Sequence, residues 1–150
     1  MATSLVPGTL IVTIDEQITM NGMPLNSQNK LTLSSIGQAD KRIVQLPQGS
    51  EVTLINFSSA VAAGTFVRGV MKYFRVTNKD AVNYARIRYK KSGADVADFK
   101  LEAGKSFMLG VPNLNVSETA QTFVTFEDLD SINAQAYDGN IDVEFFVAST

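Results

Sequence analysis

The sequence predicts an all-β protein, an antiparallel β-sandwich of about nine to ten strands whose natural form is a jelly roll. Three observations lead there. Apolar and polar residues alternate with period two along most of the chain, turn-forming pairs recur between the alternating runs, and no stretch carries the spacing of an amphipathic helix. With 150 residues, 45% of them hydrophobic, the chain can bury a core without staples and reads as one domain, residues 1–150. Residues 1–8 read as a flexible N-terminal arm.

The elements follow in order. Leu10, Val12, Ile14, Ile18 and Met20 occupy even positions, interrupted on that face by Glu16, and predict a long strand with one buried side. Asn21-Gly22 is the favoured pair for a tight hairpin turn, and Met23-Pro24-Leu25 starts the return, continued by Leu31 and Leu33. Residues 43–46 form a short apolar piece, and Val52, Leu54, Ile55 and Phe57 another strand. Residues 58–69, small and glycine-containing, read as a long loop or one helical turn. Residues 71–76 run into the polar cluster Thr77-Asn78-Lys79-Asp80. Ala85, Ile87 and Tyr89 then alternate with Arg86, Arg88 and Lys90, the pattern of a half-exposed strand. Lys91-Ser92-Gly93 turns it. Phe99 and Leu101 precede Glu102-Ala103-Gly104, and Phe107, Leu109 and Val111 follow. Val124 and Phe126 mark a further strand, Asp138-Gly139 a second hairpin, and Ile141, Val143, Phe145 and Val147 the last strand. All four prolines fall between these candidates, where a missing amide harms no ladder.

Composition narrows the chemistry. The chain has no Cys and no His, which removes thiol nucleophiles, thiolate zinc sites and the commonest general base. No nucleophile elbow, phosphate-binding loop or dinucleotide fingerprint occurs. Glu127-Asp128-Leu129-Asp130 and Asp138 could offer oxygens to calcium, but without the regular loop spacing they read as a polar turn and a hairpin tip. We therefore expect no enzyme, no catalytic residue, no cofactor and no bound metal. The N-terminus lacks a basic start with an apolar run, and no apolar run approaches a membrane span, so neither secretion nor membrane insertion is expected.

Charge is unevenly distributed. Residues 68–105 hold ten bases against four acids, while residues 118–150 hold seven acids and no base. A basic face interleaved with Tyr73, Tyr84 and Tyr89 could hold phosphates and stack bases. A net charge of −2 argues instead for a solvated sheet face, balanced by the acidic last strands or by a neighbouring subunit. Nucleic acid is not an expected partner. Arg86, Arg88, Lys90, Tyr89 and Phe146 are the candidate interface residues. Phe145 facing in would leave Phe146 facing out, available to a neighbour.

One stretch resembles a known group. Phe74-Arg75-Val76-Thr77-Asn78, the alternating run Asn83 to Tyr89, and Phe99-Lys100-Leu101-Glu102-Ala103-Gly104-Lys105-Ser106-Phe107 resemble a pattern in small β-sandwich virion proteins of tailed bacteriophages. There a strand ending in a hydrophobic-x-Asn triplet meets an alternating basic and apolar strand, followed by a Gly-x-Ser corner. The likeness covers residues 74–109. It implies a jelly-roll structural component: a capsid decoration (auxiliary or cement) protein bound to the major capsid protein or another virion protein, a head-fibre base, or a small tail component. It also implies a homo-oligomer, a trimer being favoured, assembled in the host cytoplasm and located in the virion. The alternative is a carbohydrate- or receptor-binding module of a tail or head fibre, using Tyr73, Tyr84 and Tyr89 as platforms. A two-carboxylate hydrolase is a third option that no motif supports.

Overall fold

A computed structural model describes residues 6–60, 62, 64–91, 94–109, 115–116 and 127–150, and among them every regular element is a strand. In chain order these are β1 (Gly8–Glu16), β2 (Thr19–Met20), β3 (Met23–Pro24), β4 (Ser27–Ile36), β5 (Gln38–Leu46), β6 (Glu51–Ser58), β7 (Phe66–Val67) and β8 (Met71–Asn78). They continue as β9 (Ala85–Lys91), β10 (Ala94–Leu101), β11 (Ser106–Leu109), β12 (Asn115–Val116), β13 (Glu127–Asp128), β14 (Ser131–Ala136) and β15 (Ile141–Ser149). The strands expected at Val124 and Phe126, the turn residues Ser92 and Gly93, and Val111 and Pro112 lie outside the described residues.

Two sheets face each other across one core. One has the order β11-β8-β15-β5 and is antiparallel throughout. The other has the order β10-β9-β14-β6-β7, with only the short β7 parallel to its neighbour. The period of two puts Phe74, Val76, Val143, Phe145 and Val147 inward from the first sheet, and Ile55, Phe57, Ile87, Tyr89, Ile132 and Ala134 inward from the second. The antiparallel sandwich expected from the sequence is therefore the fold.

Turns within and between the sheets are built from the residues that signalled them. Asn21 and Gly22 have φ of 52° and 79°, as a two-residue hairpin turn of mirror-image type requires. Asp138-Gly139 also turns the chain, but it joins β14 in one sheet to β15 in the other, so the expected hairpin is a crossing between layers. The turn chemistry is local, while the sheet a strand joins is decided by its partners. Pro24 lies inside β3 rather than between strands, at the tip of a two-stranded ribbon where no second neighbour asks for its amide. Residues 58–69 contain β7 and a tight turn closed by Thr65 N–H donating to the Ala62 carbonyl at 3.2 Å. β5 begins at Gln38, five residues earlier than the apolar piece suggested, because its polar half pairs with β15 as an edge strand.

The corner of the resembling stretch has a clear physical basis. Asn78 is fully buried at the end of β8, and its amide donates to the carbonyls of Asn83 (2.8 Å) and Leu101 (3.2 Å). Its side-chain oxygen accepts from Asp80 N–H at 2.9 Å, and Asp80 in turn accepts from the amides of Val82 and Asn83. Those backbone donors hold the Asp80 carboxyl below the usual carboxylate range. Across the corner Leu101 is buried, Phe107 packs against the core, and Gly104 takes φ of 68°. Ser106 hydrogen-bonds Thr77 across the strand pair at 2.7 Å.

Candidate functional site

Three outward surfaces are worth building from their residues. The first is the outer face of the five-stranded sheet. Alternation along β9 puts Arg86, Arg88 and Lys90 outward, and registration with β14 sets Gln135, Asn133 and Ser131 beside them in that order. Arg88 clamps Asp98 of β10 through Nε (2.8 Å) and Nη2 (3.0 Å) and reaches Glu51 of β6 through Nη1 (2.9 Å). Lys90 Nζ and Asn133 Nδ2 both lie 2.6 Å from Glu51 Oε1, and Arg86 hydrogen-bonds Gln135. Burial alone would raise the Glu51 carboxyl, but hydrogen bonds from Lys90 and Asn133, with the charges of Lys90 and Arg88, hold it below the usual range. The Arg88 hydrogen bonds do the same for Asp98, outweighing its burial. The bases expected to attract a phosphate or a neighbour are thus largely answered within the chain. Glu51 and Asp98 are among the acids answering them, while Asp130 and Glu144 of the acidic last segment pair with Arg68 and Arg75.

Tyr89 needs correcting as an interface residue. It sits 3% exposed on the opposite face of β9 from its basic neighbours, with its ring centroid 5.2 Å from that of Phe99 and 6.5 Å from that of Phe107. Strict alternation demands this, since odd and even side chains of one strand cannot share a face. Burial pushes the phenol well above its ordinary value, and its hydroxyl has no hydrogen-bond partner among the described residues. Tyr73 is buried too, on the far side of the other sheet, so neither ring is a platform.

The second surface is a cleft of about 280 Å3 lined by Gly49, Tyr84, Arg86, Gln135, Ala136 and Tyr137. Tyr84 and Tyr137 stack with centroids 4.6 Å apart and planes 15° from parallel, and Lys100 Nζ lies 4.3 Å over the Tyr84 ring. Tyr137 is 67% exposed. Sequence reasoning missed it because it follows the end of β14, where no alternation reports its direction; only its neighbour across the sheet reveals the pair. Asp138, beyond it, accepts a 3.4 Å hydrogen bond from Gln48, and Asp130 pairs with Arg68 at 2.5 Å. Among the described residues no three potential metal-ligating side chains converge.

The third surface is residues 8–36. Among the described residues β1 and β4 pair only with each other, and β2 and β3 continue the same hairpin to its tip. The register is constant from Leu10↔Leu33 through Val12↔Leu31, Ile14↔Asn29 and Glu16↔Ser27 to Met20↔Met23. Between the last two, Leu25 N–H donates to the Ile18 carbonyl at 2.7 Å, keeping the count. Partners directly across a ladder share a face. One face is therefore apolar from root to tip, broken only near Glu16, Ser27 and Asn29, while the other carries Thr13, Asp15, Gln28, Lys30 and Thr32. The buried side expected here is left open toward its tip among the described residues: Ile18 is 51% and Met23 66% exposed. The root meets the sandwich. There Gly8, Thr9, Leu10 and Ile36 wall a cleft of about 180 Å3 with Ala39, Phe146 and Ala148 on the outer face of the four-stranded sheet. Phe146 does face outward, as expected, and meets Tyr73 edge-on at 5.9 Å. Its neighbour is the chain's own ribbon.

These features define an all-β antiparallel sandwich with an attached β-ribbon. No protein-family model matches the chain, and no curated protein is significantly similar to it. Among the described residues no helix is long and apolar enough to cross a membrane.

Proposed function

We propose that this chain is a structural protein of a virus particle, a capsid decoration protein that binds the shell and its own copies. The strand order carries the reading. Taking β5, β6, β8, β9, β10, β11, β14 and β15 as one to eight in chain order, one sheet runs 1-8-3-6 and the other 2-7-4-5. This order supports a jelly-roll reading, two Greek keys wound together, which is the architecture of viral capsid and lectin domains. The corner around Asn78, Leu101 and Gly104, which carries the resemblance to tailed-phage virion proteins, supports the same reading. The expected partner is the major capsid protein or another virion protein. Mass analysis of purified particles should find the chain in the virion, and the recombinant protein should co-sediment with shells that lack it. A chain absent from particles and indifferent to shells would end this reading.

The Tyr84–Tyr137 cleft favours a second reading, a carbohydrate-binding fibre module. Stacked rings beside Arg86 and Gln135 offer a sugar one aromatic face and two polar groups. A glycan array with a clear hit that Tyr137→Ala abolishes would select it over the first.

A further inference from the structure

We propose that the β1–β4 ribbon is a docking arm whose apolar face packs against the same face of a second copy of this chain. Two strands alone are marginal in water, and a ribbon gains stability only when its apolar face is covered. At the root the ribbon and the sandwich wall an open cleft, and toward the tip the face is exposed. The extended chain over residues 10–20 reaches about 35 Å at ~3.3 Å per residue, so the arm is long enough to hold a partner away from its own body.

The pattern of the face selects the occupant. Its order from root to tip is two apolar rows, the mixed row Ile14 and Asn29, the polar row Glu16 and Ser27, then two apolar rows. A twofold axis crossing the ribbon between the two middle rows therefore superposes the four outer, apolar rows on one another. Leu10 and Leu33 of one copy lie over Met20 and Met23 of the other, Val12 and Leu31 over Ile18 and Leu25, Asn29 over Ser27, and Ile14 over the stem of Glu16. Glu16 stays beside the open edge of β1, where its carboxylate can reach water. An isologous contact requires such self-complementarity, which an unrelated partner would not impose. Two such faces together remove on the order of 1,000 Å2 from water, near the lower bound for a specific interface. A twofold contact of this kind can link trimers as readily as single chains, and it does not depend on the virion reading.

The test uses the full-length protein. Light scattering after size-exclusion chromatography should give an even multiple of the chain mass. Ile14→Asp with Ile18→Asp should at least halve that mass, whereas Thr13→Asp with Thr19→Asp, on the opposite face, should leave it unchanged. A single-chain mass at high micromolar concentration, or an undiminished mass in the first variant, would overturn the proposal. Because the chain has no Cys, the register can be read without relying on destabilising changes. Mixing Met23→Cys with Leu33→Cys chains and adding a bis-maleimide of about 10 Å, the usual gap between packed sheets, should yield a mixed cross-link. Cross-linking of Met23→Cys to itself, or no cross-link at all, would refute the twofold arrangement. Loss of particle binding with the ribbon contact intact would count against the virion role alone.

Discussion

At the scale of single residues, two buried polar groups behave in opposite ways. Asn78 uses its amide and its carbonyl oxygen to join the end of β8, the β8–β9 turn and the end of β10. Asn78→Leu would leave two carbonyls and one amide without this partner, and we expect a loss of about 3 kcal/mol, read as a lower denaturation midpoint in urea. Tyr89 has no such ties among the described residues. Tyr89→Phe removes a desolvated hydroxyl while keeping the ring packed on Phe99 and Phe107, so stability should be unchanged or rise by up to about 1 kcal/mol. The sequence marked both residues, Asn78 as a turn former and Tyr89 as one of an alternating set. What it could not show is which buried oxygen finds a donor, because those partners come from strands that are distant along the chain.

At the scale of elements, the basic strand β9 is a balanced row. Glu51, Asp98 and, on the other sheet, Glu144 beside Arg75 (2.6 Å) are all held below the ordinary carboxylate range. A carboxyl with a lower value folded than unfolded binds fewer protons in the native state. Its contribution is present above the unfolded value of about 4 and disappears as pH falls through the folded one. The melting temperature should therefore vary little between pH 8 and 5 and drop below about pH 4, and Glu51→Gln should flatten part of that acid limb. Screening keeps each exposed pair small, so added salt should shift the neutral-pH value only slightly. The ribbon is the other element whose energetics are separable. Gly22 holds φ of 79°, and Gly22→Val should fray the tip, accelerating amide exchange in residues 16–27 while the core strands keep their protection.

At the scale of the whole molecule, sheet order and surface agree on a part built for contact. The two sheets bury one continuous core, and the described surface offers a balanced charged row, an aromatic cleft and an uncovered apolar ribbon. If contact is the role, combining the charge-introducing ribbon changes at Ile14 and Ile18 with shell binding becomes informative. Ribbon-driven avidity would make shell affinity fall at least tenfold in the monomerised variant, whereas a shell site on the sandwich body alone would leave it unchanged. Co-sedimentation at graded shell concentrations measures the difference.

Alternation along the chain determined the β class, the inward and outward residues of β8, β9 and β15, and the turns at Asn21-Gly22 and Gly104. These follow from interactions within a few residues, where period and backbone preference act directly. Tertiary structure decided which sheet each strand joins, that Asp138-Gly139 crosses layers, that Glu51 answers Arg88 and Lys90, and that Tyr137 stacks on Tyr84. It also decided that the apolar face of residues 8–36 stays open. A period of two states that one face is greasy. Whether the same chain covers that face depends on how the ribbon leaves the sandwich near Ser35 and Gly37, a geometry set by long-range packing rather than by side-chain pattern.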